Sequence, residues 1–217
     1  GLAGSDPAVG VILVELLSSR NGVDVHSRLI GEFSSSSDPV KAAIMKVSSR
    51  EPGRTNSGFL IELIFESDKW SEQASESLVG MNDTSVDEYL SQHYLGDYGD
   101  SADHKTLAIE LLRKRGAVAY KSDFYGMLIG SEASVRSAIT HALRDWGEAG
   151  DLDTILSVMG QSKENALRSA LSRLFVSLAQ TQVKNQLIAI GALDNAIPVA
   201  DSSLKATLNR RPVWRYP

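Results

Sequence analysis

The sequence predicts an all-α chain, a right-handed α-solenoid of stacked helix pairs. Three observations predict it. A residue that is usually small, followed by an aliphatic one, recurs along the whole chain. Two Ser-Asp-Pro helix starts stand one period apart. Glycines fall near the corners that such pairs need.

The recurring column reads Val11-Ile12, Ala43-Ile44, Ser77-Leu78, Ala108-Ile109, Ala138-Ile139, Ala170-Leu171 and Ser203-Leu204. Successive aliphatic members are 32, 34, 31, 30, 32 and 33 residues apart. A period of this size is the signature of a repeat array. One helix pair of that length cannot bury both of its faces, so neighbours must stack into a continuous core. The small member lets helices approach, and the aliphatic member fills the space between them. The period extends over residues 1–217, which are read as one domain of about six helix pairs with 195–217 as a C-terminal cap.

Taken in order, the first helix starts at Ser5-Asp6-Pro7 and the third at Ser37-Asp38-Pro39. In each, the Asp suits an N-cap and the Pro a first-turn position whose missing N–H costs nothing. The second helix of each pair is expected at 23–33, 57–67, 85–95, 119–129, 151–159 and 182–190. Gly22, Gly53, Gly80, Gly116, Gly150 and Gly191 lie near the turns, where a left-handed corner favours glycine. The best-matched first helices are Val135-Arg136-Ser137-Ala138-Ile139 and Leu167-Arg168-Ser169-Ala170-Leu171. Val135, Ala138, Ile139, Ala142 and Leu143 share one face at helical periodicity, as do Leu167, Ala170, Leu171 and Leu174. Residues 71–100 fit least well, because Gly80, Asn82, Asp83, Gly96 and Gly99 interrupt them.

The competing fold is α+β, with an N-terminal antiparallel sheet and a C-terminal helical domain. Val9–Ser18 and Val23–Phe33 flank Asn21-Gly22, which favours a hairpin turn. Ala42–Val47 and Phe59–Phe65 are also rich in strand-favouring residues. The repeated Asp-Pro starts favour the helical reading.

Composition removes several function classes. The chain has 217 residues, no cysteine and a formal net charge of −5. Disulfides, thiolate metal sites and a Cys nucleophile are therefore excluded. The acidic balance argues against a nucleic-acid partner, because phosphate binding rests on Lys and Arg. No apolar run approaches the roughly 18 residues of a membrane span. The first residues lack the basic stretch of a signal peptide, and the reading places the chain in the cytoplasm. His26, His93, His104 and His141 have no metal-ligand spacing, and no phosphate-loop, dinucleotide or nucleophile-elbow motif is present. The reading is non-enzymatic, with no catalytic residue, cofactor or metal.

Arg115-Gly116-Ala117-Val118, Met127-Leu128-Ile129-Gly130-Ser131 and Ser134-Val135-Arg136-Ser137-Ala138 together resemble an armadillo repeat. That pattern has a Gly-Ala corner, an apolar helix, a polar break and a helix with Arg and Ala. Gly22-Val23 through Asp38-Pro39-Val40-Lys41-Ala42-Ala43 is similar, and Gly191-Ala192-Leu193 opens another such corner. The shorter period is closer to HEAT repeats. The resemblance implies a protein–protein scaffold or adaptor that holds a peptide or helix on its concave surface. Importin-α-like members carry repeated Trp and Asn along the groove, which this chain lacks, so nuclear-signal binding does not carry over. HEAT-like DNA glycosylases and pigment lyases are the enzymatic alternative. A winged helix over Lys105–Arg115 and Ser131–Trp146, with a wing near Gly150-Asp151-Leu152, is a further one.

Aromatic residues concentrate in the middle of the chain. Tyr89, His93, Tyr94, Tyr120 and Tyr125 lie on two expected second helices, with Asp123 among them. Tyr supplies rigid apolar area with a polar tip, as binding surfaces do. These six residues form the candidate binding patch. The expected second helices are richer in acids and the first helices in bases, so an inner acidic face would suit a basic peptide or helix.

Overall fold

A computed structural model describes residues 2–20, 23–50, 53–67, 69–96 and 101–181. These residues are helical with no strand among them. The chain divides into two compact units, Gly1–Gly96 and Asp97–Pro217.

The first unit contains α1 (Pro7–Ser18), α2 (Val23–Gly31), α3 (Asp38–Ser48), α4 (Arg54–Glu66), α5 (Ser71–Val79) and α6 (Ser85–Leu90). A π-helical turn, Ser91–Leu95, continues α6. α1 packs on α3 and α3 on α5, while α2 packs on α4 and α4 on α6. α4 against α5 ties the two rows together. The second unit contains α7 (Ala102–Arg115), α8 (Lys121–Met127), α9 (Ala133–Trp146), α10 (Leu152–Gln161) and α11 (Asn165–Thr181). Here α7 packs on α9 and α9 on α11, with α8 beside α10.

The column lands on one class of helix. Within the described residues its members occupy α1, α3, α5, α7, α9 and α11. Ile44, Leu78, Ile109, Ile139 and Leu171 are fully buried. Burial of each such side chain favours folding by roughly 1.5–3 kcal/mol. Ile12 differs and is 60% exposed. α1 turns Gly10 and Val14 into the unit, leaving Val9, Ile12, Leu13 and Leu16 on its outer side. Gly10 permits a close crossing: a Cβ added there would stand 2.6 Å from Val40 Cγ2.

The sheet alternative is overturned. Val9–Ser18, Ala42–Val47 and Phe59–Phe65 all lie in helices, and Val23 to Gly31 forms α2. The cause is local. Asp6 accepts hydrogen bonds from the backbone N–H groups of Ala8 and Val9 at 2.9 and 3.4 Å, and Pro7 occupies the first turn. The residues α1 buries, Gly10 and Val14, follow a helical spacing and not the alternation of a strand.

The second Ser-Asp-Pro start differs from expectation. Ser37 is the N-cap of α3 and Asp38 its first helical residue. The Asp38 carboxylate instead accepts from Lys69 Nζ at 2.8 Å, and that hydrogen bond holds its pKa below the ordinary value. Gly116 ends α7 at φ 70°, a left-handed corner that only glycine adopts without strain. Gly150 and Asp151 belong to a 3-10 turn that leads into α10. The expected helix at 182–190, the corner at Gly191, the column pair Ser203-Leu204 and the cap at 195–217 lie outside the described residues, as do Asn21 and Gly22. No helix among the described residues is long and apolar enough to cross a membrane.

Candidate binding groove

In the first unit, α4 and α6 frame an open groove of about 450 Å³. Ser85, Glu88, Tyr89, Gln92 and His93 line one wall. Their spacing is that of a single helical face, carried from α6 into the π-helical turn. Ser57, Gly58 and Ile61 of α4 form the other side. Asp83 opens α6, accepting from the Ser85 backbone N–H at 3.0 Å and the Ser85 hydroxyl at 2.7 Å.

Gly58 is unusual for its place. A glycine inside a helix costs about 1 kcal/mol relative to alanine. Packing does not demand it, because a Cβ there would meet nothing within 4 Å. It leaves the groove floor as bare backbone.

An aromatic chain sets the far end. Phe65 of α4 stacks on Tyr94, with ring centroids 3.9 Å apart and planes 4° from parallel. Tyr94 meets Tyr89 edge-on at 6.4 Å, and Tyr89 lies 4.1 Å from the His93 ring. The π-helical turn shifts the helical register where His93 and Tyr94 sit. Such turns are frequent at functional positions. Tyr94 anchors against Phe65, which frees His93 to face solvent from the groove wall. Glu88 accepts from the Gln92 amide at 3.0 Å and supplies a carboxylate to the same wall.

Of the six residues singled out by sequence, Tyr89, His93 and Tyr94 come together here. The other three belong to the second unit. Tyr120 is half-buried in the 3-10 turn before α8, and Asp123 is exposed on α8. Tyr125 is buried, and its hydroxyl has no hydrogen-bond partner among the described residues. Burial, and then the charge of Asp151, push that hydroxyl well above the ordinary phenol range. Beside it, Lys121 Nζ donates to Asp151 at 3.0 Å and Glu148 at 3.1 Å. Burial alone would lower the Lys121 pKa, but these two carboxylates outweigh it and the value rises.

Sequence reasoning missed Ser57, Gly58, Ile61, Ser85, Glu88 and Gln92 as lining residues. Their signal was present as the helical spacing of Ser85, Glu88, Tyr89, Gln92 and His93, together with a glycine in mid-helix. Among the described residues no cluster of His, Asp and Glu is placed to hold a metal ion.

No protein-family model matches the chain, and no curated protein matches it.

Proposed function

We propose that this chain is a helical-repeat scaffold, a right-handed α-solenoid of armadillo/HEAT-like pairs, which holds a peptide or helical segment of another protein. The α4/α6 groove is the binding surface. The observation that carries this reading is the open groove itself, with Tyr89 and His93 on one helical wall and bare backbone at Gly58 opposite. Aromatic anchors in a concave surface concentrate binding energy. The row packing within each unit and the buried aliphatic column support the repeat reading.

The partner segment is basic. Residues 1–96 carry 7 Lys/Arg against 14 Asp/Glu, a formal −7, and Glu88 stands in the groove wall. A cationic amphipathic segment matches both its charge and its aromatic lining.

The test is a binding titration with a panel of labelled lysine-rich amphipathic peptides. At least one binds, and Tyr89→Ala with His93→Ala weakens it by at least about tenfold, the size of a hot-spot loss. Circular dichroism checks that helicity is kept. Unchanged binding in that double variant, or binding lost equally in the charge variant Glu72→Gln away from the groove, refutes the assignment.

A further inference from the structure

The second unit carries charge of the opposite sign. Residues 97–217 hold 15 Lys/Arg against 13 Asp/Glu, a formal +2, although the whole chain is −5. Most of that excess lies in residues 182–217, outside the described residues; residues 101–181 hold 10 Lys/Arg against 9 Asp/Glu, so the cleft is marked by its own lining and not by the unit's total. α9 and α11 enclose a cleft of about 240 Å³ lined by Arg136, His141, Arg144 and Arg173, with Ser137 and Ala170 between them. Among the described residues no carboxylate lines it.

The cause is a sorting of ion pairs. On the α7 side, Arg113 takes Asp145 at 2.6 Å and Glu110 at 2.7 Å. Those bonds, Asp145 first, raise the Arg113 pKa. Glu110 is also 3.9 Å from His141 Nδ1. Arg136 is held by Glu164 at 2.9 Å and by the Ser131 carbonyl at 2.7 Å. Arg144 and Arg173 are exposed and form no ion pair within the described residues. The nearby carboxylates are thus committed, and two guanidinium groups are left without a carboxylate among the described residues.

We infer that this cleft is a docking surface for an acidic peptide segment of a partner protein. Guanidinium forks bind carboxylates in two parallel hydrogen bonds, a geometry that Asp and Glu side chains match. The small Ser137 and Ala170 side chains leave room for a peptide backbone between the arginines. The cleft wall on α9 runs from Ala133 to Arg144. At 1.5 Å per residue this is about 17 Å, the reach of about five extended residues. The 32-residue offset between Ala138 and Ala170 brings His141 level with Arg173, so cationic groups gather towards the end near Arg144. The acids of the bound segment cluster at that end. This surface is independent of the groove in residues 1–96.

The experiment measures fluorescence anisotropy of a labelled octapeptide of alternating aspartate and glutamate, titrated with the full chain. Its lysine counterpart and a short DNA duplex serve as competitors. The acidic peptide binds, and binding weakens with added salt, as partly exposed charges require. Arg144→Glu with Arg173→Glu weakens it at least about tenfold, because two attractive contacts become like-charge repulsions. Ser137→Glu, which adds a carboxylate to the cleft and keeps every arginine, weakens it too. Arg28→Glu in the first unit and Tyr89→Ala do not. Retained affinity in both cleft variants overturns the proposal, as does equal loss with Arg28→Glu. Tighter binding of the duplex, displacing the peptide, also overturns it in favour of a nucleic-acid surface.

Discussion

Gly10 against Val40 in residues 1–96 and Lys121 between Asp151 and Glu148 in residues 97–217 represent two ways of fastening the same helix-pair pattern. In the first unit helices meet through small apolar contacts, and its ion pairs, such as Arg50–Glu15, are about half exposed. In the second, Lys121 is 17% exposed and its partner Asp151 11%. The helices of the first row differ as well: 12, 11 and 9 residues in α1, α3 and α5, against 14, 14 and 17 in α7, α9 and α11. Lys121 opens the short α8, while Arg113 on α7 and Arg136 on α9 are 27% and 17% exposed. A desolvated charge locks geometry because removing one partner leaves the other uncompensated. An apolar crossing is more tolerant of small shifts. The aromatic groove with its exposed backbone floor belongs to the more tolerant unit.

This contrast can be broken one residue at a time. The largest effect is expected from Lys121→Ala, which strands the Asp151 carboxylate and destabilises the second unit by about 3 kcal/mol. Trp146, stacked on Phe124 at 5.4 Å, reports that unit by fluorescence, and Trp70 reports the first. A variant keeping only Trp146 should melt earlier, while a variant keeping only Trp70 should not. If both signals shift together, the two units unfold as one.

Gly10→Val comes next. It drives a branched side chain into Val40 and costs about 2 kcal/mol, the scale of overpacking. The loss should appear at Trp70.

Tyr125→Phe works in the opposite direction. Removing a buried hydroxyl with no partner should stabilise the second unit by about 1 kcal/mol. It also tests pH dependence. The folded-state pKa values of both Tyr125 and Lys121 are raised, so stability is full below their ordinary values and falls as pH climbs beyond 10. Denaturant midpoints at Trp146 should decline in that alkaline range, and Tyr125→Phe should lessen the decline. In the first unit Asp38 has the reverse sign: its lowered pKa contributes stability above about 4 that is lost as pH falls.

Gly58→Ala should raise the melting temperature of the first unit through about 0.5–1 kcal/mol of helix propensity. The same methyl group enters the groove floor, so peptide affinity should drop while stability rises. Arg50→Ala closes the series. Its exposed pair with Glu15 should contribute less than about 0.5 kcal/mol, at the edge of detection in a thermal melt.

Much of the architecture was legible because it rests on periodicity. The alternation of first and second helices follows from Ala43-Ile44, Ala108-Ile109, Ala138-Ile139 and Ala170-Leu171, where the small and aliphatic members share one function. The helix start at Asp6 was legible for the same reason, since a capping carboxylate acts on its own neighbours. Asp38 misled because Lys69, 31 residues further on, captures its carboxylate. The division into two units at Gly96 falls within residues 71–100, where Gly80, Asn82, Asp83, Gly96 and Gly99 interrupt the pattern, although the column itself continues from Leu78 to Ile109. Tyr89, His93 and Tyr94 stood out by residue type. Their partner Gly58 did not, because nothing local says that a glycine in mid-helix faces open space. The cationic cleft was hidden in the same way: Arg144 and Arg173 look like any solvated arginines until Arg113 is seen to claim the neighbouring acids.

The π-helical turn at Ser91–Leu95 also has a meaning in the language of insertions. Such a turn absorbs one residue more than an α-helix of the same rise. Deleting a single residue within it would return the segment to α-helical pitch and rearrange the side chains inside the turn itself. The stacking of Tyr94 on Phe65 is the contact within that turn that such a change would disturb. The binding wall is therefore defined by chain length as much as by residue identity. A length change of one residue here can alter it without disturbing the buried column.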